Sequence, residues 1–149
     1  MKSLKIILFL LISSSSLLAT ANPLQEIQQS HISGNVPATF EEFSTILERD
    51  LVKYFSASLS ADVTVKYELL RKGPTQSGVA YPKFYAWVKV LSSEKEIESG
   101  VVRVAAIEKT HVEVTSFVSK NKIIQSPKFI ETIFPLSLCE NIRHKAGIK

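Results

Sequence analysis

The sequence predicts an α+β protein: a long amino-terminal helix packed on a four-stranded antiparallel meander and closed by two short carboxyl-terminal helices. Two observations indicate this class. Apolar residues recur every three or four positions over residues 40–57, as on one side of a helix. They alternate with polar residues over much of residues 63–118, as in strands that are half buried. A helix with one apolar stripe and a sheet with one apolar face bury each other, which gives the predicted architecture.

The first 21 residues have the pattern of an export signal. Lys2 and Lys5 supply a positive start before the apolar run 6–12, and residues 19–21 are small, as at a signal-peptidase site. Serines at 13–16 end the run short of the ~20 apolar residues that span a membrane. We therefore expect a cleaved signal peptide over residues 1–21, a mature chain that is periplasmic or secreted, and no stable membrane insertion after cleavage.

Charge narrows the classes of partner. Without Lys2 and Lys5, 16 basic residues face 14 acidic ones, so the formal net charge falls from +4 to +2. A basic tail could attract an acidic partner, although charges this dispersed also occur on ordinary helix surfaces. No recognition motif for nucleic acid accompanies it, so we expect no nucleic-acid partner. The tail consists of Lys120, Lys122, Lys128, Arg143, Lys145 and Lys149.

The domain begins after a short lead-in. Residues 22–38 contain Pro23, Gly34 and Pro37 without a sustained period, so they are predicted to form an irregular arm, followed by a single domain over residues 39–149. Thr39 and Glu42 have the spacing of a capping box, and a helix is predicted from residue 40 to about residue 57.

The remaining elements follow from alternation and turn residues. Strands are predicted over residues 63–70, 79–91, 100–108 and 112–118, with the polar run 92–99 as a loop. Short connections between successive strands predict an antiparallel meander. Two helices then close the chain. Ser126 and Pro127 are placed to start the first, Ser137 and Glu140 repeat the capping-box spacing at the second, and Gly147 is placed to end it.

The order of elements from Thr39 to Ser119 resembles the cystatin-like architecture, which includes the larger nuclear-transport-factor-like cones. This resemblance implies a fold and no activity. Cystatin-type inhibitors enter a protease through a Gln-x-Val-x-Gly loop and a Pro-Trp loop, but residues 76–80 read Gln-Ser-Gly-Val-Ala and no proline precedes Trp87. The resemblance therefore does not imply protease inhibition.

No constellation of residues indicates catalysis, a cofactor or a metal. Cys139 is the sole cysteine, so no internal disulfide can form, and beside Leu138 it is expected to be a small buried hydrophobe, with pairing to another chain as the alternative. His144 would lie ~140° from Cys139 around a helix, too far to act as its base. Glu140 and His144 share a helix face but lack a third metal ligand. We expect a non-enzymatic protein with no catalytic residues, cofactor or metal.

The strongest candidate site is the sheet face turned away from the long helix. Strand alternation places there a set of aromatic residues with an arginine, a composition enriched at protein interfaces: Tyr85, Trp87, Arg103 and Phe117. The closing helices also carry apolar residues that need a surface, so covering of this face within the chain is favoured over full exposure, with a partial cleft as a compromise.

These features predict an exported, non-enzymatic protein-binding module of the inhibitor, immunity or assembly-subunit type. The four residues or the basic tail would contact a protein partner, and an oligomer is possible. The alternative is a small-ligand carrier or enzyme with a cone-shaped pocket between helix and sheet. A cone of that kind needs inward polar groups, whereas the predicted inner face is almost entirely apolar.

Overall fold

The computed structural model describes residues 22–149, so the predicted signal peptide lies outside the described residues. The α+β class is confirmed. No helix in the described part of the chain is long and apolar enough to cross a membrane. The elements are α1 (Pro23–Asn35), α2 (Phe40–Leu59), β1 (Thr64–Leu69), β2 (Lys83–Ser92), β3 (Lys95–Ile107), β4 (His111–Ser119), α3 (Lys120–Gln125), a 3₁₀ turn (Phe129–Thr132) and α4 (Leu136–Ala146).

The predicted antiparallel meander is confirmed. The strands lie in the order β1-β2-β3-β4, and each pairs antiparallel with its neighbour in sequence. Strands β1 and β4 therefore form the two edges of the sheet. Register shifts interrupt the pairing between Val90 and Leu91 and between Arg103 and Val104, and such bulges bend a strand and increase its twist.

Helix α2 packs against one face of the sheet, which we call the inner face. The Thr39 hydroxyl oxygen accepts the N–H of Glu42 at 3.2 Å, so the predicted cap starts this helix. The apolar stripe predicted from the period of the sequence is buried: Phe43, Leu47, Leu51 and Phe55. It contacts alternate residues of all four strands, including Val65, Val88, Val102 and Val112.

The carboxyl-terminal segment packs against the opposite, outer face. Its buried side chains are Ile123, Ile130, Phe134, Leu138, Cys139, Ile142 and Ala146, and they cover Tyr85, Trp87, Val101 and Val118. The prediction that the chain itself covers this face is therefore confirmed. The sheet is thus the middle of three layers and carries an apolar cluster on each side.

The prediction of an irregular arm is wrong, because residues Pro23–Asn35 form α1. The Asn22 side chain accepts the N–H of Leu24, and Pro23 occupies the first helical position, where its missing N–H costs nothing. No residue of α1 is buried, which is why its sequence lacks a sustained apolar period. Asn35 attaches the end of the helix to the β3–β4 turn, where its backbone oxygen accepts the N–H of Lys109 and its side chain accepts that of Glu108.

The predicted loop over residues 92–99 is also wrong. Only Ser93 and Glu94 form the turn between β2 and β3, both in the left-handed region with φ of 49° and 65°, and β3 begins at Lys95. Two successive left-handed residues are the geometry of a type I′ hairpin turn. Residues 95–98 are polar for the most part because they form an exposed or half-exposed part of β3, so their polarity did not indicate a loop. Strand β2 begins at Lys83 instead of the predicted residue 79, because residues 79–82 stay in the preceding loop.

Short carboxyl-terminal helices follow the sheet as predicted, but they begin at residues other than the predicted ones. Helix α3 follows β4 directly with Ser119 as its cap, and the Ser126–Pro127 pair precedes only the 3₁₀ turn. Helix α4 begins at Leu136 after Pro135 and has no side-chain cap, so the predicted capping box is not formed. Gly147 ends this helix with φ of 88°, which confirms the predicted left-handed cap.

Candidate functional site

Three of the four predicted partner-binding residues are held inside the fold. Tyr85 and Trp87 are only 5% and 6% exposed under the carboxyl-terminal cover. The Tyr85 hydroxyl shares a hydrogen bond of 2.6 Å with the Thr75 hydroxyl. Arg103 is partly buried and donates from Nε to Thr115 Oγ1 at 3.0 Å and from Nη1 to the Ile133 carbonyl at 3.1 Å. These side chains join the outer layer to the sheet.

The fourth residue, Phe117, lies on the other face, so the prediction that it shares a surface with Tyr85 and Trp87 is wrong. Arg103 pairs with Ser116 whereas Val104 pairs with Val114, which leaves Thr115 as an extra residue in β4. An extra residue reverses the alternation of every side chain beyond it. Phe117 consequently turns inward and meets Phe55 edge to face, with ring centroids 5.0 Å apart.

The space between α2 and the sheet, where a cone-shaped pocket was the alternative expectation, is occupied by side chains in the described core. The rings of Phe43 and Phe84 lie 4.2 Å apart between their centroids, and Leu47 and Leu51 are fully buried beside them. A hydrogen bond between the Ser44 and Tyr67 hydroxyls joins the helix to β1. This region therefore acts as core, and no observation favours a ligand there.

A groove of about 920 Å³ lies where α2 passes the edge strand β4, and we call it the edge groove. It is open along its length. The helix contributes Arg49, Asp50, Lys53, Tyr54, Ala57 and Ser58, and the strand contributes His111, Val112, Glu113 and Val114. Its walls come from segments that are far apart in sequence, since the bond joining Asp50 to Val112 spans 62 residues.

Asp50 closes one end of the edge groove. Its Oδ2 accepts the backbone N–H of Val112 at 2.8 Å, and its Oδ1 accepts Arg49 Nε at 2.8 Å. Arg49 also donates to the Thr110 carbonyl at 2.8 Å. Burial raises the pKa of Asp50, but the hydrogen bonds from Arg49 and Val112 together outweigh it, so the pKa lies below its usual value. Asp50 is thus held as a carboxylate, and it accepts the N–H of Val112, which points away from β3.

Within the described residues no strand lies on the outer side of β4. Because outward N–H groups alternate along an antiparallel strand, the N–H of Val114 points to the same side as that of Val112. Val112, Val114 and Tyr54, the last 36% exposed, give the groove an apolar floor beside these backbone groups.

Titratable residues elsewhere do not assemble into a reactive centre. Among residues 22–149 no group of three or more histidine, cysteine or acidic side chains could hold a metal ion. Cys139 is buried, as predicted for a cysteine that acts as a small hydrophobic residue. Its sulfur lies 3.5 Å from the Pro135 carbonyl oxygen. Burial raises the pKa of the Cys139 thiol, which disfavours the nucleophilic thiolate.

The basic tail does not form one free surface. Arg143 pairs with Glu131, and Lys145 Nζ lies 2.7 Å from Glu68 Oε2. Lys122 lies over the ring of Phe129, 5.2 Å from its centroid. These cations attach the carboxyl-terminal segment to itself and to β1.

Comparisons of the chain with protein-family models, with curated proteins and with solved structures found no match. Function is therefore argued from the geometry of the molecule itself.

Proposed function

We propose that this protein is an exported, non-enzymatic module that binds another protein, and that the edge groove receives an extended segment of that partner. One observation supports the proposal most directly: an unpaired strand edge lies inside a groove with an apolar floor. Addition of a strand to an open sheet edge is a common mode of peptide recognition, in which backbone hydrogen bonds give affinity and side-chain contacts give specificity.

The geometry sets the chemistry of the partner segment. Its backbone would pair with Val114, beyond the position that Asp50 already occupies. Alternate side chains would then face Tyr54 and the apolar floor, so the segment should carry apolar residues at every second position. Export rests on the pattern of residues 1–21, and the cystatin-like likeness rests on the order of α2 and the meander. Both remain part of the proposal.

Selection of peptides on the mature chain, residues 22–149, tests the groove. A random library of twelve-residue peptides should yield binders with alternating apolar residues. Their affinity should fall at least tenfold on Val114→Pro, which removes an outward N–H while leaving the pairing with β3 intact. N-methylation of alternate peptide residues should have a similar effect, because it removes the partner's donors.

Tyr54→Ala should also weaken binding, since it removes part of the groove floor. Tyr81→Ala is the matched control, because Tyr81 is 43% exposed in a loop outside the groove. Circular dichroism and urea unfolding establish that each variant is folded. Binding that survives Val114→Pro and N-methylation, or a selection that enriches no peptide, would contradict the proposed function.

A further inference from the structure

Two lysines face each other on the outer side of the sheet, near the β1 edge. Lys66 of β1 pairs directly with Lys89 of β2, and both side chains are exposed. Like charges that are directly opposed on neighbouring strands lower stability. Among the described ion pairs neither lysine has an acidic partner. The free protein therefore retains an electrostatic cost that a bound anion would relieve.

A small pocket lies between these two lysines, and we call it the lysine pocket. Its volume is about 180 Å³, and its lining consists of Lys66, Tyr67, Glu68, Trp87 and Lys89. Trp87 is almost wholly buried and contributes to the lining of this pocket. Glu68, the acidic residue of the lining, is already paired with Lys145 at 2.7 Å. The two lysines thus give the pocket lining a net positive charge.

We propose that the lysine pocket binds a glutamate or aspartate side chain in an acidic segment of a protein partner. A carboxylate between the two ammonium groups would replace their repulsion by attraction, and Trp87 would contact its methylene carbons. A space of this size holds one side chain, because pockets for whole small ligands begin near 300 Å³. Helix α4 packs on the same face, which is therefore not flat, so we favour a protein segment over a lipid surface as the occupant.

The lysine pocket is separate from the edge groove. It lies at the β1–β2 end of the sheet, whereas the groove lies along β4 at the other edge. The inference does not rest on the proposed function, and each site can fail without the other.

Trp87 is the only tryptophan in the chain, so its fluorescence reports occupancy of the lysine pocket directly. The mature chain should be titrated at low ionic strength with capped hexaglutamate and with capped hexaglutamine. The acidic peptide should change the Trp87 emission saturably, and raised salt should weaken the effect because it screens exposed charges. The neutral peptide should leave the emission unchanged.

Lys89→Glu is the decisive variant, because it should change two quantities in opposite directions. It places a carboxylate opposite Lys66, so the urea midpoint should rise while hexaglutamate affinity falls at least tenfold. Lys109→Glu makes the same change of net charge at the β3–β4 turn and should reduce affinity no more than twofold. If Lys89→Glu does not fold, Lys66→Gln replaces it as the test. This variant should weaken hexaglutamate binding severalfold.

Three results would overturn the inference. Trp87 emission that hexaglutamate does not move would exclude a carboxylate at the pocket. Equal loss of affinity in Lys89→Glu and Lys109→Glu would show attraction to net charge alone. A response to phosphatidylserine vesicles in the absence of any response to hexaglutamate would assign the lysines to lipid instead.

Discussion

Asp50 shows how one side chain fixes the relation of α2 to the sheet edge. Its carboxylate accepts a guanidinium N–H from Arg49 and a backbone N–H from β4. It can therefore stabilise the fold both through its negative charge and by holding the helix next to the strand, and a variant that removes only the charge distinguishes the two effects. Asp50→Asn keeps an acceptor for the N–H of Val112 but loses the negative charge that strengthens this hydrogen bond and pairs with Arg49.

We expect Asp50→Asn to lower the free energy of unfolding by about 1–2 kcal/mol at pH 7. Because the pKa of Asp50 is lowered in the folded state, its stabilisation is fully present above the unfolded value of ~3.9 and is lost as pH falls through the folded value. The difference between wild type and variant should therefore shrink between pH 5 and ~2, as measured by urea unfolding at several pH values. Glu48→Gln, on the exposed side of the same helix, is the control and should change stability by less than ~0.5 kcal/mol. A difference that stays constant with pH would contradict the assigned role.

The hairpin turn between β2 and β3 uses residues that its geometry disfavours. Ser93 and Glu94 both have positive φ, whereas type I′ turns favour Asn-Gly. The double variant Ser93→Asn with Glu94→Gly should raise the free energy of unfolding by about 1 kcal/mol, since glycine and asparagine adopt this conformation with little strain. Thermal and urea unfolding measure the gain. Glu96→Gly, a glycine placed inside β3, should instead lower stability, and equal effects of the two changes would refute the turn argument.

The types of α2 and of the four strands were predictable from the sequence, whereas α1, the start of β3 and the register of β4 were not. The period of α2 and the alternation of the strands are set by burial on a single face, so they are visible in the sequence. The extra residue at Thr115 leaves no such trace, and it alone moved Phe117 to the inner face. Gly100 illustrates the same limit: a Cβ there would lie 2.2 Å from the Val118 carbonyl oxygen and 2.8 Å from the Phe117 ring, a contact that only the folded register creates.

Across residues 22–149, two apolar clusters lie on opposite faces of one sheet, so loss of one should unfold the other. Ile142 of α4 is fully buried in the outer cluster, whereas Leu136 of the same helix is 72% exposed. Ile142→Ala should lower the free energy of unfolding by about 2–4 kcal/mol, and Leu136→Ala by less than ~0.5 kcal/mol. The Trp87 fluorescence and the helical circular dichroism should lose their native signals in a single transition. Separate transitions in Ile142→Ala would show that the outer layer melts independently.

Both candidate sites are formed by residues from separate elements that come together only in the three-layer fold, so patterns within one element could not predict them. Both walls of the edge groove carry residues that are unremarkable in their own helix or strand, and only the fold brings Tyr54 beside Val114. The aromatic face was recognised from alternation, but its exposure depended on where the carboxyl-terminal residues pack. Trp87 illustrates this, since it belongs to the outer cluster and also lines the lysine pocket.

The sequential order of the strands has a consequence for how the chain folds. Every strand pairs with its neighbour in sequence, so the sheet can form by successive hairpins with little cost of loop closure. The outer layer, by contrast, is synthesised after all four strands, because residues 120–149 follow β4 in the chain. Until residues 120–149 arrive, a nascent sheet would expose Tyr85, Trp87 and Val101 to solvent. We therefore expect a chain that lacks residues 120–149 to aggregate more readily than one that contains them, because transiently exposed apolar surface promotes aggregation.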